Sequence, residues 1–271
     1  MIAKEGKEIK EVEEVKERRA EIAAFFDLDG TLVAGPSLEQ RLFRELRYRR
    51  VIGWKNYLLW LAQAVRLASR GMTEILQGNK MYLRGVTGAL HESNPDEKRK
   101  CAFFPAAIER IAWHAEREDT IVIASGTLEF LARGAAQELE MNLRQRGIAA
   151  KIQVCATRLE ERDGRWTGQV VGEAMFGGAK ARAVRRLAAE MDIDLKRSFA
   201  YGDSAQDKWL FEEVGNPLAV NPSPGLSRVA REKNWPVVWW NEGKELTPRP
   251  GRGRRRAQRR AEAMARPESL G

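Results

Sequence analysis

Two aspartates stand two residues apart in Phe25-Phe26-Asp27-Leu28-Asp29-Gly30-Thr31, directly after a short apolar run. Further along come Ser125-Gly126, Lys180 and a second acidic cluster, Gly202-Asp203-Ser204-Ala205-Gln206-Asp207. These residue types suit phosphoryl transfer. Asp27 and Asp203 can offer carboxylate oxygens to Mg²⁺, a hard cation that takes one or two carboxylates beside substrate phosphate. A bare carboxylate repels a phosphate dianion, so Lys180 would supply fixed positive charge for both the phosphate and Asp27. Ser125 and the N–H groups after it, at an expected helix start, can hold phosphate oxygens. Asp27 could then attack phosphorus as a covalent nucleophile, giving an aspartyl-phosphate. Asp29 is near enough to protonate the leaving oxygen and later take a proton from water. Gly30 permits the turn that carries the chain off its strand.

The elements that must position these groups follow from the hydrophobic pattern. Ile22–Phe26 is a continuous apolar run, the pattern of a strand buried on both faces of a parallel sheet. Thr120–Ala124, Lys151–Cys155, Ser198–Tyr201, Leu218–Val220 and Val237–Trp240 read as further strands. Helical patterns through Ile108, from Ala179 to Met191 and from Ala205 to Val214 alternate with them. The expected fold is therefore α/β, a Rossmann-like doubly wound parallel sheet built from residues 21–36 and 105–243. Asp163-Gly164 between Arg158–Glu161 and Trp166–Val171 predicts a β-hairpin. In open α/β sheets the ligand site lies outside the carboxyl ends of the strands. Asp27, Ser125 and Asp203 each follow a strand, and Lys180 opens a helix.

A helical insertion, residues 37–104, separates the first strand from the rest. At roughly 70 residues it is far longer than an ordinary connection. Leu38, Leu42 and Leu46 recur at helical spacing, and a second helix runs through Trp54, Leu58, Leu61 and Val65. Trp54, Tyr57, Leu58, Leu59 and Trp60 are expected to form the core of this cap. With Arg49, Arg50 and Lys55 beside them, the alternative is that they rest on an anionic membrane surface or hold an acyl chain.

The chain has 271 residues and is 43% apolar, enough for a large α/β domain with an insertion. Cys101 and Cys155 make neither a disulfide framework nor a metal cluster and are expected as small buried apolar residues. Residues 1–20, dominated by Lys, Glu and Arg from Lys4 onward, predict a charged helix and exclude a secretory signal. No apolar stretch reaches the length of a spanning helix. A cytoplasmic location is expected, with a membrane-peripheral one as the variant. Of the net charge of +9, +6 falls in residues 244–271, where nine Lys/Arg face three Glu. That Arg-rich tail is expected to be disordered. It lacks aromatic residues between its arginines, so it offers no base-stacking platform, which weighs against nucleic acid. Nothing in the pattern fixes an oligomeric state.

Taken in order, Asp27-Leu-Asp-Gly-Thr31, Ser125, Lys180 and Gly202-Asp-Ser-Ala-Gln-Asp207 resemble the four motifs of the haloacid dehalogenase superfamily. The helical insertion resembles that of its phosphoserine phosphatase-like branch. Phe176-Gly-Gly-Ala-Lys180 and Val220-Asn-Pro-Ser-Pro-Gly-Leu226 are similar to phrases of the bacterial HAD-IB hydrolases. The resemblance implies that Asp27 is the nucleophile, Asp29 the general acid/base and Asp203 a metal ligand. Asp29 would add its backbone carbonyl to a Mg²⁺ site. Ser125, Gly126 and Lys180 would bind the phosphate, and Asp207 would orient Lys180 or the metal's water shell. Thr31 and Ser204 belong to the motifs as supporting residues.

Three positions depart from the phosphoserine-specific pattern. Pro36 stands where a Glu usually meets the substrate amine, Gln206 stands for Asn, and Thr127 for Gly. The expected activity is hydrolysis of a phosphomonoester, either a small phosphoserine-like compound or a lipid phosphate such as lysophosphatidate or phosphatidylglycerophosphate. A reading of another class is a binding or scaffold protein that lays its basic tail on nucleic acid or anionic membrane. His91 and His114 are expected as a loop and a helix residue. Without a Gly-x-Ser-x-Gly elbow, a serine-hydrolase triad has no support.

Overall fold

A computed structural model describes residues 20–72, 74–87 and 101–241. The charged N-terminal stretch, the polar run around His91 and the Arg-rich tail lie outside the described residues.

Six parallel strands form the central sheet in the order β3-β2-β1-β6-β7-β8. They are β1 (Ala23–Phe26), β2 (Thr120–Leu128), β3 (Ile152–Thr157), β6 (Phe199–Gly202), β7 (Asn216–Val220) and β8 (Val237–Val238). β1 is buried along its whole length because it lies between β2 and β6 under helices on both faces. Its outward alternation serves two cores. Ala24 and Phe26 pack into one cluster, Ala23 and Phe25 into the other. The helices α3 (Pro105–Glu116), α4 (Glu129–Gln145), α5 (Gly177–Glu190), α6 (Lys208–Phe211) and α7 (Pro224–Lys233) supply the crossovers. The short α6 follows a 3₁₀ turn at Ala205–Asp207, so the single helix expected from 205 to 214 is a broken one.

Two sequence expectations are corrected here. β2 runs on to Leu128, with an irregularity between Ser125 and Leu128, and α4 starts only at Glu129. Ser125-Gly126-Thr127 is thus a bulged strand end rather than a helix start. Cys101 and Cys155 are half-buried, not core residues. Burial still pushes the Cys101 thiol up to about 12, with Glu138 adding to the rise.

The described part of the segment between β1 and α3 is largely helical. α1 (Leu38–Tyr48) is capped by the Ser37 side chain, which accepts from the Gln40 N–H, and buries Leu38, Leu42 and Leu46. α2 (Trp54–Leu67) packs inward through Trp60, Ala64 and Leu67. Asn56 tethers it, donating to the carbonyls of Tyr82 and Arg84. The stripe that sequence periodicity singles out, Trp54, Leu58, Leu61 and Val65, faces solvent. This helix is apolar on two sides, and the inward one is set by the stretch Asn79–Arg84 beneath it.

The hairpin β4 (Leu159–Arg162) and β5 (Arg165–Val170) turns at Asp163 and Gly164, both with positive φ (50° and 70°). That is the backbone a two-residue primed turn requires. β5 also bonds to the insertion: Trp166 accepts from the Gly85 N–H and donates to the Val86 carbonyl, both across short distances of 2.8 and 2.9 Å.

Candidate active site

Four of the expected residues converge at the carboxyl ends of β1 and β6. Asp27 leaves β1, and its N–H donates to the Tyr201 carbonyl at 2.9 Å, which keeps it in line with β6. Lys180, in the first turn of α5, reaches across with its Nζ 2.7 Å from Asp27 Oδ1 and 2.7 Å from Asp207 Oδ1. The other oxygen of Asp207 accepts from both the N–H and the hydroxyl of Ser204 (3.0 and 2.8 Å). Asp207 is fully buried and spends both oxygens on Lys180 and Ser204. It is therefore built to hold the lysine in place. Asp203 follows β6 directly and sits against Gly30, where a Cβ would come 2.5 Å from Asp203 Oδ2. Gly30 also has φ of +86°, so glycine meets two demands at once.

Asp29 points elsewhere. Its Oδ1 accepts from the Leu38 N–H at the start of α1 (2.9 Å), and its Oδ2 accepts from the Thr127 hydroxyl. Ser125 lines the cavity and its Oγ accepts from the Thr127 N–H at 3.3 Å. Gly126 lines it too, its carbonyl tied to the Thr157 hydroxyl at 2.8 Å. Thr31 is buried outside the cavity lining, and its hydroxyl has no hydrogen-bond partner among the described residues. His114 is a core residue of α3, bridging Asp119 and Tyr201 at 2.8 Å each.

The electrostatics are those of carboxylates crowded out of water. Burial pushes Asp27 up to about 7; Lys180 opposes the rise, and Asp207 and Asp29 add to it. Asp203 goes up to about 8, by burial first and then by Asp27 and Asp207. Asp29 is raised by burial, with the Thr127 and Leu38 hydrogen bonds pulling the other way. Burial on its own would lower the Lys180 ammonium, but Asp207 and Asp27 outweigh it and keep the lysine charged. We take Lys180 as the cation of the pair, since two carboxylates stand at hydrogen-bond distance from it.

Asp27, Asp203 and Asp207 each offer an oxygen, all within 4.8 Å of one another. A single ammonium leaves such a group of carboxylates under-compensated. The donor set, hard oxygens only, fits Mg²⁺. Asp27 and Asp203 are the carboxylates available to it, because Asp207 is engaged elsewhere.

The cavity above these groups measures about 870 Å³, and the insertion forms much of its wall through Phe43, Tyr57, Trp60 and Tyr82. Sequence reasoning missed part of this wall. Glu39 accepts from Lys80 Nζ at 2.5 and 2.7 Å and from the Tyr82 hydroxyl at 2.5 Å. Lys80 is buried there, though its sequence context looks like that of a surface lysine. Thr127 was visible only as a departure, with no sign of its contact to Asp29.

The sequence profile of the haloacid dehalogenase-like hydrolases matches residues 24–212. The chain belongs to this family. Its branch is the phosphoserine phosphatase-like one, as the relatives indicate. Phosphoserine phosphatase SerB1 of Mycobacterium tuberculosis is 32% identical over 225 residues, covering 79% of this chain and 70% of the relative. The "Inhibition of morphological differentiation protein" of Streptomyces azureus is 44% identical over 244 residues, covering 84% and 82%. Among solved structures, a protein of unknown function from Bordetella pertussis Tohama I superposes with a TM-score of 0.62 at 26% identity, covering 82% of this chain and all of that one. Phosphoserine phosphatase in its apo form gives 0.55 at 20% identity, over 82% and 94% of the two chains, a likeness of fold.

Proposed function

We propose that this hydrolase is a Mg²⁺-dependent phosphatase that passes the phosphoryl group of a monoester to Asp27 and then to water. The observation that carries the reading is the placement of Asp27 against Lys180 at 2.7 Å, with Asp29 held apart on its own hydrogen bonds and made a weaker acid by burial. Lys180 offsets the charge of the incoming phosphate, and Ser125 with the N–H groups of the bulge receives its oxygens. Asp27 bonds to phosphorus as the ester P–O bond breaks, and Asp29 gives its proton to the departing oxygen. In the second half, water attacks the aspartyl-phosphate and Asp29 takes the proton back, which frees phosphate and restores both carboxyl groups. Mg²⁺ held by Asp27, Asp203 and the Asp29 carbonyl would keep Asp27 ionised and add positive charge opposite the phosphate. Residues 37–104 act as the cap that shields the site from water.

For the substrate, the cavity wall favours an apolar leaving group over an amino acid. Pro36 carries no carboxylate, and Glu39, a carboxylate the insertion contributes to the cavity wall, is already bound to Lys80 and Tyr82. A lipid phosphate is preferred on this reading and a small phosphoester is second. The reading assigns the chain to the cytoplasm, in peripheral contact with anionic membrane. The test is hydrolysis of an aryl phosphate with and without Mg²⁺, by wild type and by Asp27→Asn. Activity that needs both the metal and Asp27 supports the proposal, and equal inactivity of both proteins over a broad phosphate panel sinks it. Phosphoserine assayed beside lysophosphatidate then separates the substrate classes.

A further inference from the structure

α2 leaves an unusual amount of apolar surface in water. Trp54, Leu58, Leu61 and Val65 each expose more than half of their surface, and they fall on one face at spacings of three and four residues. Tyr48 at the end of α1 (89% exposed) and Met72 beyond α2 (66%) extend the apolar surface at either end of the segment. Exposed apolar residues scattered singly need no explanation, but a continuous stripe on one helix does. The inward face of the same helix is already satisfied by the insertion's own packing, so this stripe is surplus to folding.

The charge around it points to the occupant. From Arg44 to Met72 the sequence holds seven Lys/Arg and one acidic residue, Glu45. Glu45 is already paired with Arg49 at 2.9 Å. Arg44, Arg47, Arg50, Lys55 and Arg66 are exposed. An apolar stripe belted by cations is what an interfacial helix offers to a bilayer with anionic headgroups. A second copy of the chain would instead bring two basic belts together and pay Coulomb repulsion for the apolar contact. The chain's own Arg-rich tail is repelled on the same ground.

We infer that the outer face of α2 docks this protein on anionic membrane, with Trp54, Leu58, Leu61 and Val65 entering the headgroup boundary. Tyr57 and Trp60 of the same helix line the catalytic cavity, so docking brings the cavity wall to the lipid surface. The inference stands on exposure and charge and does not depend on the phosphatase reading.

The test is co-sedimentation of the full chain with vesicles of phosphatidylcholine, alone and with phosphatidylglycerol added. Wild type should bind the anionic vesicles at least about tenfold more tightly than the neutral ones. Leu58→Gln, Leu61→Gln and Val65→Gln combined change no charge and touch neither the core nor the cavity. That variant should keep the wild-type melting temperature and lose about tenfold or more in vesicle affinity. The inference fails if wild type stays in the supernatant with anionic vesicles. It fails equally if the triple variant binds as wild type does, since the tail alone would then explain the binding. A wild-type dimer that the triple variant converts to a monomer would assign the face to self-association and overturn it as well.

Discussion

The hydroxyl of Thr127 donates to the carboxylate of Asp29, joining the bulged end of β2 to the loop that follows β1. Asp29 is held at its other oxygen by the first N–H of α1. The residue assigned to proton transfer is thus oriented by one contact from the sheet and one from the insertion. Thr127→Val should lower kcat by about tenfold, a modest part of what general acid catalysis supplies. Because the Thr127 hydrogen bond opposes the upward pull of burial on Asp29, its loss also moves the alkaline limb of the pH–kcat profile to higher pH. Thr127→Ser should restore both. A profile that does not move would remove Thr127 from this role.

Among the described residues Lys180 is the cation that neutralises Asp27, and it is shared with Asp207. Lys180→Met leaves two buried carboxylates without their cation. Breaking a buried ion pair from one side costs about 3–5 kcal/mol, so unfolding in urea should show a loss of that order together with inactivity. The double change Lys180→Met with Asp207→Asn should recover part of the stability and none of the activity. Full additivity of the two changes would contradict the shared geometry.

Asp203 and Asp27 are raised to about 8 and about 7 in the metal-free protein, by burial first. Between the ordinary carboxylate range and those values the folded state binds more protons than the unfolded one. Stability therefore falls as pH rises through that window. Without metal, the contribution of these groups should give a higher melting temperature near about pH 6 than near about pH 8. Mg²⁺ should stabilise more at the higher pH, where it displaces fewer protons. Asp203→Asn should flatten both trends. Equal stabilisation by Mg²⁺ at the two pH values would argue that these carboxylates do not hold it.

Gly30→Ala tests the close approach behind Asp27. The left-handed backbone alone costs an L-residue about 1–2 kcal/mol, and the new methyl would meet the Asp203 carboxylate. The variant should fold with reduced stability and bind Mg²⁺ at least about tenfold more weakly, because the Asp203 carboxylate is pushed from its place. Calorimetric titration with Mg²⁺ measures this directly.

What the sequence disclosed and what it concealed divide along a physical line. Strands such as Ala23–Phe26 announce themselves because burial on both faces demands an unbroken apolar run. Asp27, Asp203 and Lys180 could be placed because each abuts such an element. The bulge at Ser125–Thr127 left no such trace, since its path is decided by pairing with β3 and by the Thr157 hydroxyl on Gly126. The Glu39, Lys80 and Tyr82 cluster joins positions far apart in the chain, and no local pattern encodes it. Periodicity also showed that α2 is amphipathic but not which stripe is buried. Two apolar stripes compete there, and only the Asn79–Arg84 stretch decides between them.

The pairing of β1 has a consequence for how the protein is made. Ala23 lies beside Thr120 on one edge, and Ala24 beside Phe199 on the other. A ribosome extends the chain from the N-terminus, so the strand bearing Asp27 emerges first and waits for both of its neighbours. Its second neighbour, Phe199–Gly202, arrives long after the first. Contacts of such sequence separation form slowly, and an unpaired apolar strand is exposed to aggregation meanwhile. The order of synthesis thus leaves the Asp27 carboxylate without its assembled surroundings until Phe199–Gly202 has emerged.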